Sequence, residues 1–405
     1  MTTGTGARTG SMKKTTGDQQ LVKRINRSVL LRLLRAQPGL SRARLAQESG
    51  LTKSTVSLLV RELIEDGWLS ESGTPVAGEG MGRPSTPLQI NVGVRALIGI
   101  EVGVEVLRVV GVSLQGELLC SATEALDDGA PAAACRQAAA MVARAHAQLA
   151  QRGLSLSGIG IGVPGAVDDL SGLVRFAPNL GWRNVDLMPL FTAALDKAGV
   201  PPVPIQLQNE ADAAALGEYE FAPEGEGEDP LIFVNCDFGV GAGIVLNDRL
   251  FVGAQGMAGE IGHTILQVDG PRCSCGRRGC AEAFFGARAL STRGADPARA
   301  GAFLGVLLQN LWVTFDPKVI VVGGECCAAH PELLEAAMQA VERFADAAAM
   351  PAPQLRAARY GALAPAVGAA AFALHEYLRP MHPDAGARRE HQVQKSRRAH
   401  AGAAA

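Results

Sequence analysis

The chain has 405 residues, 47% hydrophobic and 19% charged, which is enough apolar material for two or three domains with a sizeable core. The formal charge of −2 conceals an asymmetry: residues 21–70 carry nine Lys and Arg against four Asp and Glu, a local +5, which implies a polyanion partner for that segment alone. No apolar run reaches the roughly 18 residues of a membrane-spanning helix, so the expectation is a cytoplasmic protein with no membrane contact and no stable disulfides among its eight cysteines.

Residues 1–19 are rich in Gly and Thr, lack a hydrophobic period and read as a disordered arm. Residues 20–92 form a compact basic segment with three predicted helices. The first is Asn26–Ala36. The second is Arg42–Ser49, with Ser41 as N-cap and Gly50 as its left-handed stop, and the third is capped by Thr52 or Ser54. In the third helix Val56, Leu59, Val60 and Leu63 follow i, i+3, i+4, i+7 spacing, and Lys53, Ser54, Thr55, Ser57 and Arg61 lie opposite. Short polar side chains at a helix N-terminus can enter a DNA groove and reach base edges or phosphates, so these five residues and Ser41 are candidate DNA contacts. The following stretch reads as a β-wing leading to a linker, with Arg83, between Gly82 and Pro84, as a candidate backbone or minor-groove contact. A small helical bundle with a solvated basic face would share the periodicity. A helix–Gly–helix triplet followed by a wing favours a winged helix-turn-helix DNA-binding domain.

Residues 93–380 read as α/β. Residues 96–119 run as strand, Gly turn, strand, turn and strand, and residues 231–252 repeat this, with Asn247-Asp248 as a hairpin turn. Two similar meanders about 135 residues apart suggest a duplicated domain with a cleft between its halves. The stretch "APEGEGEDP" (222–230) reads as an acidic surface loop. The end, 381–405, with Arg388, Arg389, Lys395, Arg397 and Arg398, reads as a disordered tail.

From Leu97 onward a set of motifs occurs in order: "GIGIGVPGAVD" (158–168), "APNLGWRNVDL" (177–187), "NEADAAALGE" (209–218), "GMAGEIGHT" (256–264), "DPKVIVVGGE" (316–325) and "APAVGAA" (364–370). Together they resemble the ROK family (repressors, open reading frames and sugar kinases), over nearly all of 97–378. The resemblance implies a duplicated actin-like, ribonuclease-H-like domain, and the N-terminal winged helix matches the family's sugar-responsive repressors. It implies sugar contacts from Asn209, Glu210, Glu260, His263 and Glu282, with Asn179 and the backbone near Gly165 as secondary candidates. Carboxylates, carboxamides and a histidine suit a ring of hydroxyls that both donate and accept.

Residues 272–284, "RCSCGRRGCAEAF", hold three cysteines within eight residues. Cys273, Cys275 and Cys280 are an odd set, and a Cys-x-Cys pair is awkward to bridge, so a disulfide fits poorly. Gly276 and Gly279 permit tight turns, and Arg272, Arg277 and Arg278 would favour thiolates. A metal clip and a thiol redox switch both remain open from these residues. The resemblance implies the former: a closed, structural Cys₃His zinc site with His263 as fourth ligand. Such a clip would tie the turn bearing Glu260 to the segment bearing Glu282. Cys120, Cys135, Cys236, Cys326 and Cys327 read as packing residues.

Sugar kinases of this family carry Asp after the Asn where this chain has Glu210. Their first phosphate hairpin resembles Asp-x-Gly-Gly-Thr, where this chain reads Glu101-Val102-Gly103-Val104-Glu105. Their second resembles Gly-Thr-Gly-x-Gly, where it reads Asp237-Phe238-Gly239-Val240-Gly241. One extra methylene displaces a catalytic carboxylate by roughly 1 Å, and carboxylates in a phosphate loop repel phosphate. The expectation is therefore a non-enzymatic, sugar-responsive repressor that binds operator DNA and a sugar or sugar phosphate, as a dimer or tetramer. A bifunctional protein retaining kinase activity and a DNA-binding scaffold with an empty cleft are the alternatives.

Overall fold

The computed structural model describes residues 19–72, 86–223, 228–254, 256–291 and 294–379. Arg83, most of the arm and the basic tail lie outside the described residues.

The N-terminal unit comprises α1 (Gln19–Ala36), α2 (Arg42–Ser49), α3 (Lys53–Glu65), β1 (Leu69–Glu71) and β2 (Leu88–Ile90). Local capping chemistry sets its turns: the Ser41 hydroxyl accepts from the Arg44 N–H, Gly50 closes α2 at φ 69°, and Thr52 Oγ1 accepts from the Thr55 N–H. Thr52 is therefore the cap of α3, and Ser54 lies inside the helix. Leu30, Leu31, Leu34, Leu45, Val56, Leu59, Val60 and Leu63 form the buried face. The wing strands pair antiparallel, Leu69 opposite Ile90. Two features differ from the sequence reading. Helix α1 begins seven residues before Asn26, its added turns tied by Lys23 to Glu62 (2.8 Å), while Arg27 of the expected helix pairs with Asp66 (2.5 Å). Only residues 91–94 separate β2 from the next strand, so the wing runs into the α/β domain without a long linker.

The first lobe of that domain contains β3 (Arg95–Val102), β4 (Val106–Ser113), β5 (Leu118–Ala125), α4 (Pro131–Gln151), β6 (Ser155–Val163), β7 (Ala166–Asp168), β8 (Leu173–Ala177), β9 (Trp182–Asp186), α5 (Leu187–Lys197), β10 (Ile205–Asn209) and α6 (Glu210–Glu220). The second contains β11 (Leu231–Cys236), β12 (Val240–Leu246), β13 (Arg249–Leu250), α7 (Glu282–Phe285), α8 (Ala287–Ser291), α9 (Pro297–Phe315), β14 (Val319–Gly323), α10 (Glu325–Ala329), α11 (Pro331–Ala348) and β15 (Gln354–Ala357). Helix α12 (Ala364–Leu378) returns to the first lobe, packing on β3, β6 and α6. The sheets run β10-β6-β3-β4-β5 and β13-β12-β11-β14-β15, each an antiparallel three-strand meander extended by two parallel strands. The duplication suggested by the meanders thus extends to whole sheets, the actin-like, ribonuclease-H-like arrangement. The turn at Asn247 and Asp248 takes φ 53° and 63°, as an antiparallel two-residue turn requires.

Within the stretch 222–230, expected to be an acidic surface loop, Pro223 is exposed but Glu228 is not. Glu228 is buried and accepts from Arg356 (2.8 Å) and Arg359 (3.0 Å), while Asp229 accepts from the N–H groups of Asn247 and Asp248. Residues 224–227 lie outside the described residues.

The winged helix and the α/β domain share one apolar core, which joins Leu30, Leu34 and Trp68 to Val110, Val112, Ala370, Leu374 and Leu378. The Trp68 ring stacks on Tyr377 with centroids 4.0 Å apart, the Arg95 guanidinium lies over the Trp68 ring 5.0 Å from its centroid, and Arg27 donates to the Tyr377 hydroxyl at 3.1 Å. Replacing a buried aromatic by Ala costs about 3–5 kcal/mol. Trp68→Ala should therefore lower stability by an amount in that range and split thermal unfolding into two transitions, read by calorimetry. A single transition at the wild-type temperature would show that the Trp68 ring is not what couples the two units.

Candidate functional site

A cavity of about 510 Å³ lies between the lobes, within the range of about 300–1,000 Å³ common for small-ligand sites. Asn179, Asn209, Glu210, Glu260, His263 and Glu282 all line it, so the cleft brings together every sugar-contact candidate from the sequence.

Each is placed by a local device. Asn209 ends β10 and caps α6: its Oδ1 accepts from the N–H groups of Ala211 (2.8 Å) and Asp212 (3.2 Å), and its Nδ2 donates to the Gly165 carbonyl at 2.9 Å. Glu210 is the first residue of that helix. Burial, together with the charges of Glu101, Asp237 and Glu260, raises its pKa well above the ordinary carboxyl value, with Arg108 opposing. Glu260 precedes a single 3₁₀ turn, 261–263, that carries His263. Its pKa is raised by burial and by Glu282, and His263 opposes. Glu282 begins α7, its Oε1 accepting from the Ser274 hydroxyl at 2.8 Å. Asn179 sits on a short turn and is exposed.

Sequence reasoning missed several residues here. Asp212 lines the cavity, is 6% exposed and has an unpaired Oδ1 among the described residues. Also lining the cavity, Arg108, buried on β4, donates to Glu101 at 2.9 Å and forms a close ion pair with Glu325 of the second lobe. Burial raises Glu101 to about 7 against the pull of Arg108. Asp237 is likewise raised by burial, with Glu105 adding to the shift. Two hairpins thus face one another with carboxylates. The only sequence signal was an arginine within a strand of otherwise apolar and small residues.

Beside the cavity, one donor atom from each of His263, Cys273, Cys275 and Cys280 lies within 4.8 Å of all the others. The Cys275 and Cys280 sulfurs are 3.7 Å apart, and the Cys273 sulfur is 3.8 Å from His263 Nδ1. A tetrahedron with metal–sulfur bonds of about 2.3 Å has edges of about 3.8 Å, whereas a disulfide needs about 2.05 Å. The Cys275–Cys280 and Cys273–His263 separations therefore match edges of a four-coordinate metal site, and the quartet is grouped closely enough to hold one ion. Gly279, at φ 73°, forms its tight turn, and a Cβ there would lie 1.7 Å from the Gln267 carbonyl oxygen. Burial opposes the Cys275 thiolate, but hydrogen bonds from the Arg277 backbone and side chain outweigh it and bring the thiol down to about 6. Arg278 instead donates to the Gly270 carbonyl. Cys135, Cys236 and Cys326 are buried, as packing residues should be, and Cys120 and Cys327 are half-buried.

On the winged helix, Lys53, Ser54, Ser57 and Arg61 are exposed along α3, and Thr55 is half-buried. Exposed Leu58 shares that face, an apolar contact that the sequence reading omitted. Ser41 is half-buried and engaged as a cap. Arg27 and Arg35 face the α/β domain, so part of the segment's positive charge stabilises the domain junction. Among the described residues no helix is long and apolar enough to cross a membrane.

The sequence pattern of the ROK family matches residues 97–301 and 295–376, and that of winged helix-turn-helix DNA-binding domains matches 24–70. The xylose repressor of Bacillus subtilis (strain 168) is 29% identical over 385 residues, covering 89% of this chain and 98% of its own. A ROK family transcriptional regulator, described as a homologue of the E. coli MLC protein, superposes with a TM-score of 0.71 at 23% identity, over 89% of this chain and 98% of that one. A ROK family glucokinase from Streptomyces griseus, in complex with glucose and AMPPNP, gives a TM-score of 0.58 at 27% identity, over 69% of this chain and 99% of that one.

The raised Glu210 carboxyl has a thermodynamic consequence. A carboxyl whose pKa is higher in the folded state keeps its proton where the unfolded chain has lost it, so stability falls as pH rises past the ordinary value of 4.5. Glu210→Gln should flatten the decline in melting temperature between about pH 5 and 8 and leave the variant more stable than wild type at the upper end. An unchanged slope would show that Glu210 ionises normally in the cleft.

Proposed function

The chain belongs to the ROK family, and from that premise we propose that it is a sugar-responsive repressor whose kinase-like cleft senses its effector without catalysing phosphoryl transfer. One observation carries the reading: an exposed, polar recognition helix and a sugar-sized cleft share a continuous core within one chain. Full-length similarity to a repressor supports it, and D-xylose is accordingly the first effector to test.

In this reading Asn209, Glu210, Glu260, His263 and Glu282 bind the ring hydroxyls, with Asn179 at the mouth. Glu210, protonated more readily than a free carboxyl, can donate as well as accept. Zinc is the metal that best suits three cysteines and a histidine in a closed quartet, and once bound by His263, Cys273, Cys275 and Cys280 it would hold the segment from 263 to 280, the knuckle, rigid. The knuckle in turn aims Glu282 through the Ser274 hydroxyl and fixes the turn that carries Glu260. The DNA contacts are Lys53, Ser54, Thr55, Ser57 and Arg61, with Ser41 and Arg83 flanking them, and the two-fold symmetry of operators favours a dimer or tetramer.

Three features argue against kinase activity. Glu105, Asp237 and Glu325 present negative charge where a triphosphate would lie, the cationic group there, Arg108, is already held by Glu101 and Glu325, and the Phe238 ring occupies the second hairpin. Likeness to a glucokinase keeps one alternative worth measuring, a protein that both represses and phosphorylates.

The test uses a duplex selected from a random library by the full-length protein, with release followed by fluorescence anisotropy across a panel of free and phosphorylated sugars. Release by a sugar without formation of sugar phosphate from ATP is the expected result. Turnover of ATP in proportion to protein concentration would overturn the non-catalytic reading, and a complete lack of response to the panel would overturn the sensor. Replacing Ser54, Thr55 and Ser57 together by Ala should weaken the selected duplex by at least about tenfold with little effect on random DNA, whereas Lys53→Ala should weaken both and reduce the salt slope by about one. Cys275→Ser should lose bound zinc, measured by metal analysis, and lose sugar-induced release while still binding DNA.

A further inference from the structure

Helix α6 has both ends in functional places. Its N-terminus is in the cleft, where Asn209 caps it and Glu210 and Asp212 line the cavity. Eleven residues later, about 16 Å along the axis at 1.5 Å per residue, it ends at Glu220, beneath the winged helix. There Glu220 is 5% exposed and gathers three side chains: Arg35 of α1 donates to its Oε2 at 2.7 Å, His375 Nδ1 lies 2.6 Å from its Oε1, and Arg379 donates to the same oxygen. Arg35 also donates to the Glu220 carbonyl oxygen. Burial opposes the charge on Glu220, but the hydrogen bond to His375 and the charges of Arg35, His375 and Arg379 more than offset it, holding the carboxylate well below its ordinary range.

The second lobe reaches the same cluster. Arg379 approaches Asp248, in the β12–β13 turn, at 3.7 Å, and the Tyr219 hydroxyl donates to Asp248. The helix itself has little freedom to absorb movement between its ends. Gly217 of α6 faces Gly368 of α12, and a Cβ on Gly368 would lie 2.0 Å from the Ala213 carbonyl oxygen. Helices in such backbone contact cannot slide or roll independently, because interiors at this packing density shift as units. On the cleft side, Gly243 of the second lobe lies equally close to the backbone of Ala211 and Asp212.

We propose that α6 and α12 move as one locked pair that carries the state of the cleft to the winged helix, with the Glu220–Arg35 contact as the transmitting junction. The proposal rests on the effector reading above and identifies how that same site regulates DNA binding. A ligand that draws the second lobe toward Asn209 and Glu210 displaces the start of α6 and the Asp248 turn together. Glu220 and Arg379 then shift relative to Arg35, and α1 and α3 follow. The two sites are coupled only insofar as the effector binds one arrangement of this junction better than the other.

Arg35→Met tests this in the full-length protein. Arg35 faces the α/β domain and lies outside α3, and its loss leaves Glu220 paired with His375 and Arg379, so the variant should fold. With D-xylose as probe, measured by calorimetry and by release of the selected duplex, the variant should bind sugar within about twofold and sugar-free DNA within about threefold of wild type, while the sugar-induced loss of DNA affinity falls at least about tenfold. Arg35→Lys, which keeps the charge, should restore part of the coupling. Full wild-type coupling in Arg35→Met would overturn the junction. So would a loss of sugar-free DNA binding beyond about tenfold, since Arg35 would then act in DNA binding itself. If wild type binds DNA but shows no response to D-xylose or to the wider panel, the effector reading and this inference fall together. A responsive wild type with a responsive Arg35→Met removes the inference alone.

Discussion

Gly217 and Gly368 bring the backbones of α6 and α12 so close that a side chain on either would meet main-chain atoms of the other helix. Much of the molecule's organisation follows from that contact. Helix α12 lies against the first-lobe strands β3 and β6, and its C-terminal turn presents Tyr377, His375 and Arg379 to the N-terminal unit. Helix α6, locked to it, presents Asn209 and Glu210 to the cleft. The DNA-binding unit therefore rests on the same pair of helices that builds one wall of the ligand site. The shared leucine and alanine core makes this a packed interface, not a tether.

The carboxyls of the cleft act on one another: burial raises Glu210, with Glu101, Asp237 and Glu260 adding to the shift, so these groups can share protons with neutral hydroxyls, which is the chemistry a polyol needs. Glu101 and Glu325 pair with the Arg108 guanidinium, and Glu105 and Asp237 line the same cavity. Two carboxylates paired to one cation, Glu101 buried and Glu325 exposed, leave little net positive field for an incoming anion, and bringing a polyphosphate there would require breaking the Arg108 pairs. Because Arg108 is on the first lobe and Glu325 on the second, their ion pair also ties the lobes together across the cleft.

The knuckle contributes through geometry. Two of the distances between its donors, Cys275 to Cys280 and Cys273 to His263, match tetrahedral edges, and Ser274, between two of the cysteines, donates a hydrogen bond to Glu282. A long carboxylate side chain loses considerable rotamer freedom when it is fixed in this way, so prior immobilisation by the knuckle lowers the entropic cost of binding. A closed quartet beside the cavity is well suited to such a positioning role.

Features set by short-range spacing were legible in the sequence. The caps of α2 and α3, the Asn247-Asp248 turn and the cluster of three cysteines within eight residues depend on near neighbours, where local sterics and hydrogen bonding decide the outcome. The family resemblance added His263 as the fourth member of the quartet and the sugar-contact set, and the structure brings both groups together. What the sequence left open were long-range pairings. The extra turns of α1 depend on Glu62, 39 residues from Lys23, the burial of Glu228 on Arg356 and Arg359, the Arg108 bridge on Glu325 at a separation of 217, and the Glu220 junction on Arg35 at 185. A charged residue looks the same in sequence whether solvent or a buried partner will meet it. Only packing of the two lobes and the winged helix decides which carboxylate meets which guanidinium, because desolvation makes a buried charge tolerable only when that partner is in place.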